Sequence, residues 1–95
     1  MKAVAFSPAA EADIDAIWDY SADKWGPDQA DIYTDAIRDV CHALANGTKQ
    51  GRPVEVWTDF KKYLCGSHVV YFLDYPSHLD VIRILHQRQD VERHL

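Results

Sequence analysis

Two apolar stripes at helical spacing meet at Trp25-Gly26-Pro27, and this junction restricts the folds open to the chain more than any other feature. Before it, Ile14, Ile17, Trp18, Ser21 and Trp25 recur at the spacing of one helix face. After it, Tyr33, Ile37, Val40, Cys41 and Leu44 make a second stripe, which Asn46-Gly47 ends. Gly26 suits the end of a helix, and Pro27 suits the first turn of the next, where a missing N–H costs nothing. Upstream, Ser7-Pro8 repeats the start signal, with Ser7 as cap, and Glu11 and Asp13 follow where the helix dipole favours acids. A connection this short turns the second helix back along the first. The spacing therefore predicts an antiparallel helical hairpin over about 8–47.

The rest of the chain reads as strand. Residues 2–6 form a short strand before the hairpin. Residues 48–59, with Gly51 and Pro53, form a loop that Trp57 anchors to the core. Three β-branched and aromatic runs follow at 60–65, 68–75 and 79–86, separated by Gly66-Ser67 and Pro76-Ser77-His78, and a polar tail covers 87–95. Short connections predict antiparallel pairing for these strands. The expected fold class is α+β, in the order β-α-α-β-β-β: a small antiparallel sheet with the hairpin packed on one face. At 95 residues, the expectation is a single domain spanning 1–95.

Charge divides unevenly. Residues 1–47 hold nine acids and three bases, whereas 48–95 hold six acids, seven bases and four of the five histidines. The net charge of −5 argues against a protein that lives on nucleic-acid backbone, whose affinity comes largely from cations that displace counterions. The hairpin's acidic outer face would suit basic residues on a partner. No apolar run approaches the roughly 20 residues of a membrane helix, and no signal-peptide pattern opens the chain, so the expected setting is cytoplasmic, away from membranes. Cys41 and Cys65 lack metal or redox spacing and read as buried thiols, and no cofactor or metal motif is present.

Chemistry-bearing residues gather in the second half. Alternation along the last strand places Leu79, Val81, Arg83 and Leu85 on one face and Asp80, Ile82, Ile84 and His86 on the other. Arg83 stands out as a guanidinium in an apolar strand. It either pairs with Asp74 or Asp80, or meets an anion in an open concavity of the sheet. Lys61, Lys62, His68, Arg83 and His86 could converge on the sheet face, supplying the acid, base and cations that metal-free RNA cleavage needs. Their spacing alone fixes no catalytic geometry. His42, beside the second stripe, reads as structural.

The order of elements and three segments together resemble the RelE/ParE toxin superfamily of bacterial toxin–antitoxin pairs. Asp15-Ala16-Ile17-Trp18-Asp19-Tyr20 through Lys24-Trp25-Gly26 resembles the first helix and turn of ParE-type toxins. Gly66-Ser67-His68-Val69-Val70-Tyr71-Phe72 resembles their middle strand, and Val81-Ile82-Arg83-Ile84-Leu85-His86-Gln87-Arg88-Gln89-Asp90 their last strand and its exit. The resemblance implies a toxin that binds DNA gyrase and holds it on cut DNA, with no catalytic centre of its own. It implies a ParD-type ribbon-helix-helix antitoxin as partner, through which alone the pair meets operator DNA. Target contacts would fall on Arg83, His86, Gln87, Arg88 and Asp90, and antitoxin contacts on Trp18, Tyr20 and Trp25. RelE-type relatives instead cut mRNA on the ribosome. They generally carry a catalytic tyrosine or histidine–tyrosine near the C-terminus, whereas here His86 is followed by Gln87 and no tyrosine follows Tyr75. The competing expectations are RelE-type mRNA cleavage on the ribosome, carried by Lys61, Lys62, His68, Arg83 and His86, and a non-toxic co-repressor that only binds antitoxin.

Overall fold

The computed structural model describes residues 2–55, 57, 59–89 and 93. Strand β1 (Ala3–Phe6) leads into helices α1 (Pro8–Trp25) and α2 (Pro27–Ala45), followed by β2 (Arg52–Pro53), β3 (Lys61–Cys65), β4 (His68–Asp74) and β5 (His78–His86). The helices form the hairpin that the Trp-Gly-Pro junction predicts. Gly26 sits at φ 97°, a left-handed conformation that costs glycine little, and its N–H closes α1 on the Ala22 carbonyl.

The five strands run in the order β1-β5-β4-β3-β2. β3, β4 and β5 pair antiparallel, as their short turns require. The sheet is nevertheless mixed, because β1 lies parallel to β5, with Ala3 opposite His78 and Phe6 opposite Val81. No turn joins β1 to β5, so turn chemistry holds no information about its direction. Part of the expected loop also forms the two-residue strand β2, with Arg52 opposite Lys62.

The helices cover one face. Ile14 and Ile17 of α1 and Ile37, Cys41 and Leu44 of α2 bury against Val70, Phe72, Leu79, Val81 and Ile84 of the sheet. A smaller cluster of Val54, Tyr71 and Leu85, with Trp57 and Phe60 packed on it, occupies the opposite face. This corrects the simple alternation expected for β5. The register steps from Phe72↔Val81 to Tyr71↔Arg83, leaving Ile82 without an opposite residue. That bulge reverses the parity of the strand. Leu79 and Val81 therefore share the helical core with Ile84, while Leu85 joins the opposite cluster.

Beyond Phe6 the first turn of α1 closes the β5 edge. The Ser7 N–H donates to the Val81 carbonyl at 2.9 Å, and the Ser7 hydroxyl donates to the Ile82 carbonyl at 2.6 Å while accepting the Ala10 N–H at 3.0 Å. Ser7 thus caps the helix and ties it to the bulge. Ser7→Ala is expected to cost about 1–2 kcal/mol, read as a lower urea midpoint with an unchanged slope.

Burial pushes the Cys41 thiol up to about 12, so it behaves as a small apolar side chain. Among the described residues no helix is long and apolar enough to cross a membrane.

Candidate functional site

A groove of about 880 Å³ opens between the hairpin and the His68/His86 end of the sheet. Its apolar floor comes from Ala16 and Ile17 of α1. One wall is aromatic. Tyr20 and Trp25 meet edge to face with centroids 6.4 Å apart, and each remains more than half exposed, at 61% and 58%. The Lys24 ammonium lies 5.1 Å from the Trp25 ring centroid and 5.6 Å from that of Tyr20. Trp18, expected beside them, takes no part in this wall. It lies half-buried on another side of α1, where its indole N–H donates to Asp31 Oδ1 of α2 at 2.8 Å.

The far end of the groove is polar. His68 and His86 are directly opposite across β4 and β5, with ring centroids 5.4 Å apart. Tyr33 of α2 joins them, its hydroxyl 2.6 Å from His68 Nδ1. The Ser67 N–H donates to that hydroxyl oxygen at 3.1 Å, so Tyr33 links His68 to the turn before β4. Burial lowers the His68 pKa, His86 lowers it further and Asp13 partly opposes both. Burial also raises the Tyr33 pKa. Gly66, at φ 61°, shapes the turn below: a Cβ there would lie 2.8 Å from the Tyr33 hydroxyl oxygen.

His86 ends β5 in an ordered exit. Its N–H donates to Gln89 Oε1, its Nδ1 accepts the Arg88 N–H at 3.2 Å, and the Gln87 N–H donates to the Ser67 carbonyl. Gln87 and Arg88 are exposed on this turn. Asp90, the last of the expected target contacts, lies outside the described residues.

The remaining cations do not converge here. Lys61 lies four residues from Cys65 along β3, roughly 13 Å at strand rise. It pairs with Asp74 at 3.6 Å. The Lys2 ammonium also binds Asp74 and holds its carboxyl below the usual range. Lys62 is exposed beside Arg52.

Arg83 pairs with neither Asp74 nor Asp80. Its Nε and Nη2 donate to Asp13 Oδ2 and Oδ1, both at 2.8 Å, and Asp13 Oδ2 also accepts the Ile84 N–H at 2.9 Å. The bulge lets Arg83 reach the β5 edge, where α1 holds Asp13. This fork raises the guanidinium pKa.

Sequence reasoning thus missed Asp13 and Tyr33. Asp13 read as a helix-dipole acid and Tyr33 as one residue of an apolar stripe. Their partners lie 70 and 35 residues away, beyond any local signal. His42, expected to be structural, is exposed on α2. Among the described residues no cluster of three or more His, Cys, Asp or Glu is placed to hold a metal.

The chain is similar to known proteins. The chain is 39% identical over 94 residues to Toxin ParE1 of Mycobacterium tuberculosis, covering 94% of this chain and 93% of that one. It is 33% identical over 96 residues to Toxin ParE1 of Caulobacter vibrioides, covering 100% and 99%. A solved chain from the chromosomal ParDE toxin–antitoxin system of P. aeruginosa shares the fold, with a TM-score of 0.78 at 23% identity over 90% of this chain and 96% of that one. Residues 4–91 match the profile of the ParE toxin of type II toxin–antitoxin systems. With nearly its whole length matched, the chain belongs to the ParE toxin family.

Proposed function

We propose that this toxin acts in the cytoplasm by binding DNA gyrase and holding it on cut DNA, and that a ParD-type ribbon-helix-helix antitoxin neutralises it and carries the pair to operator DNA. The observation that carries this reading is the Asp13–Arg83 fork. Arg83 of β5 is held by Asp13, and Lys61 and Lys62 lie at the opposite end of β3 from His68. That favours binding over RNA cleavage, which needs converging cations as well as an acid and a base. A poison needs only tighter binding to one state of its target than to the others. The exposed turn with Gln87 and Arg88 supplies a rigid contact surface for the target, and Tyr20 and Trp25 supply anchors for the antitoxin.

The deciding experiment combines purified toxin, gyrase, supercoiled plasmid and ATP, then adds detergent and protease to reveal trapped breaks. Toxin-dependent linear DNA is expected. Active gyrase and folded toxin without breaks would overturn the gyrase reading. Within this assay, the double change Gln87→Ala, Arg88→Ala is expected to raise the toxin concentration needed by about tenfold, the scale of losing an interface hot spot. Its thermal midpoint should stay near that of the parent, since both side chains are exposed.

A further inference from the structure

Half of the chain's ten lysines and arginines gather at one corner of the sheet, where β4 ends and β3 begins: Lys2, Lys49, Arg52, Lys61 and Lys62. Lys2, Lys49 and Lys61 line a polar cavity of about 260 Å³ over Phe72 and the last turn of α2. Lys62 follows Lys61 along β3 and therefore points to the other face of the sheet. Arg52 lies opposite Lys62 on β2, the outermost strand, and shares that face. Positive charge thus continues from the helical side, around the sheet edge, to the outer side.

Acids are few at this corner. Asp74 pairs with both Lys2 and Lys61, and Glu55 and Asp59 lie on the loop that returns β2 to β3. Lys49, Arg52 and Lys62 are exposed, and among the described residues no carboxylate pairs with them. The Lys49 ammonium lies 5.5 Å from the Tyr63 ring centroid, which holds it beside the cavity. The rest of the chain holds five bases and twelve acids, so the net charge of −5 averages over two unlike ends.

Those ends are far enough apart to act separately. Asp28 and Asp31 begin α2, about 20–25 Å from its end at Ala45 at helical rise. Of the four acids on α2, Asp39 alone lies within about 10 Å of that end. The molecule measures 37 × 31 × 21 Å, whereas exposed charges beyond about 8 Å are largely screened at physiological salt. A ligand at the corner therefore meets its cations and little of the hairpin's acid.

We propose that this edge seats the sugar–phosphate backbone of duplex DNA, with Lys49 on the helical side of the sheet edge and Arg52 and Lys62 on the outer side. Closely spaced phosphates along one strand complement cations that continue around an edge. No element is placed to read bases, so affinity is independent of sequence. The place of use rests on reading the chain as a gyrase poison: the DNA is the duplex that gyrase holds. Lys62 lies three residues from Cys65, about 10 Å at strand rise, and the Gln87-Arg88 turn is bonded to Ser67 beyond that end. Target and DNA can thus be engaged at once. The DNA contact adds affinity only where gyrase presents DNA, which is the differential binding that a poison requires.

The first test is fluorescence anisotropy of a short labelled DNA duplex with the full-length chain and no gyrase. With about three phosphates engaged, affinity is expected to fall roughly 40-fold between about 50 and 200 mM salt. Lys62→Gln should weaken binding and lower the salt slope by about one, and the triple change Lys49→Gln, Arg52→Gln, Lys62→Gln should nearly abolish both. Lys24→Gln, a cation of the groove, should leave both unchanged. No binding at low salt, a flat salt profile, equal binding by the triple variant, or tighter binding to an RNA duplex of the same sequence would each overturn the proposal. The second test places the triple variant in the gyrase assay, where the toxin concentration needed for breaks should rise about tenfold. An unchanged requirement would overturn the placement on gyrase-held DNA. The two readings fail separately. Salt-dependent DNA binding by a toxin that traps no breaks retires gyrase as the target, and a working gyrase poison without DNA affinity retires only the DNA seat.

Discussion

Asp13→Ala is expected to lower the stability of this fold by about 2–3 kcal/mol, short of the loss from breaking a fully buried pair because both side chains keep some exposure. The carboxylate accepts two bonds from Arg83 and one from the Ile84 N–H, so its removal takes three hydrogen bonds from the guanidinium and a strand-edge amide at once. The side chains of Arg83 and Asp13 are 22% and 15% exposed, so water compensates only partly. In a domain of this size the thermal midpoint should fall by roughly 10–20 °C. Arg83→Ala removes the cation but leaves Asp13 bonded to Ile84, and it should cost less. A double-mutant cycle on the two residues, followed by urea unfolding, isolates their coupling. Near-additive losses would show that the fork contributes nothing beyond its separate parts. The same variants probe function. If Arg83 serves the fold, toxicity lost in Arg83→Ala should return on cooling, in step with the folded fraction. A soluble, folded Arg83→Ala with no activity at any temperature would make Arg83 a contact residue instead.

Phe72→Ala is expected to be costlier still, about 3–5 kcal/mol. Phe72 is the largest of the fully buried side chains and sits in the core beneath the helices. It also sets the approach of the 48–53 segment, since a Cβ at Gly51 would lie 2.5 Å from its ring. Truncation therefore opens a cavity and loosens the support of that segment. Phe72→Leu keeps most of the volume and should cost under half as much. Both changes are read as urea midpoints at constant slope. Equal losses for the two variants would mean that ring shape, rather than buried volume, holds this region.

The helical hairpin was legible because its signals are local. Ser7-Pro8 and Trp25-Gly26-Pro27 act through backbone dihedrals and missing N–H groups, and the stripes act through a period within one element. Both survive without knowledge of the rest of the chain. The antiparallel pairing of β3, β4 and β5 was legible for the same reason, since two short turns leave no other direction. The candidate site was legible only as separate residues. His68 and His86 read as strand ends, and Tyr20 and Trp25 as residues near the surface of the first helix. That they border one groove follows from how the hairpin is laid across the sheet. Trp18 looked equivalent to Trp25 by spacing, yet its indole found Asp31 and left the groove to its neighbours.

By itself, then, the sequence determined every element but β2, the hairpin, the antiparallel strands and the family, because each depends on residue type and near spacing. Only the tertiary structure decided the rest. The parallel seat of β1, the Asp13–Arg83 fork and the Tyr33–His68 contact join residues dozens of positions apart, and the bulge at Ile82 and the His68–His86 pair depend on the register between two strands. The bulge decides most among them. One unopposed residue reverses which side chains of β5 reach the core and brings Arg83 to Asp13, and side-chain alternation read along the strand contains no mark of where the register slips.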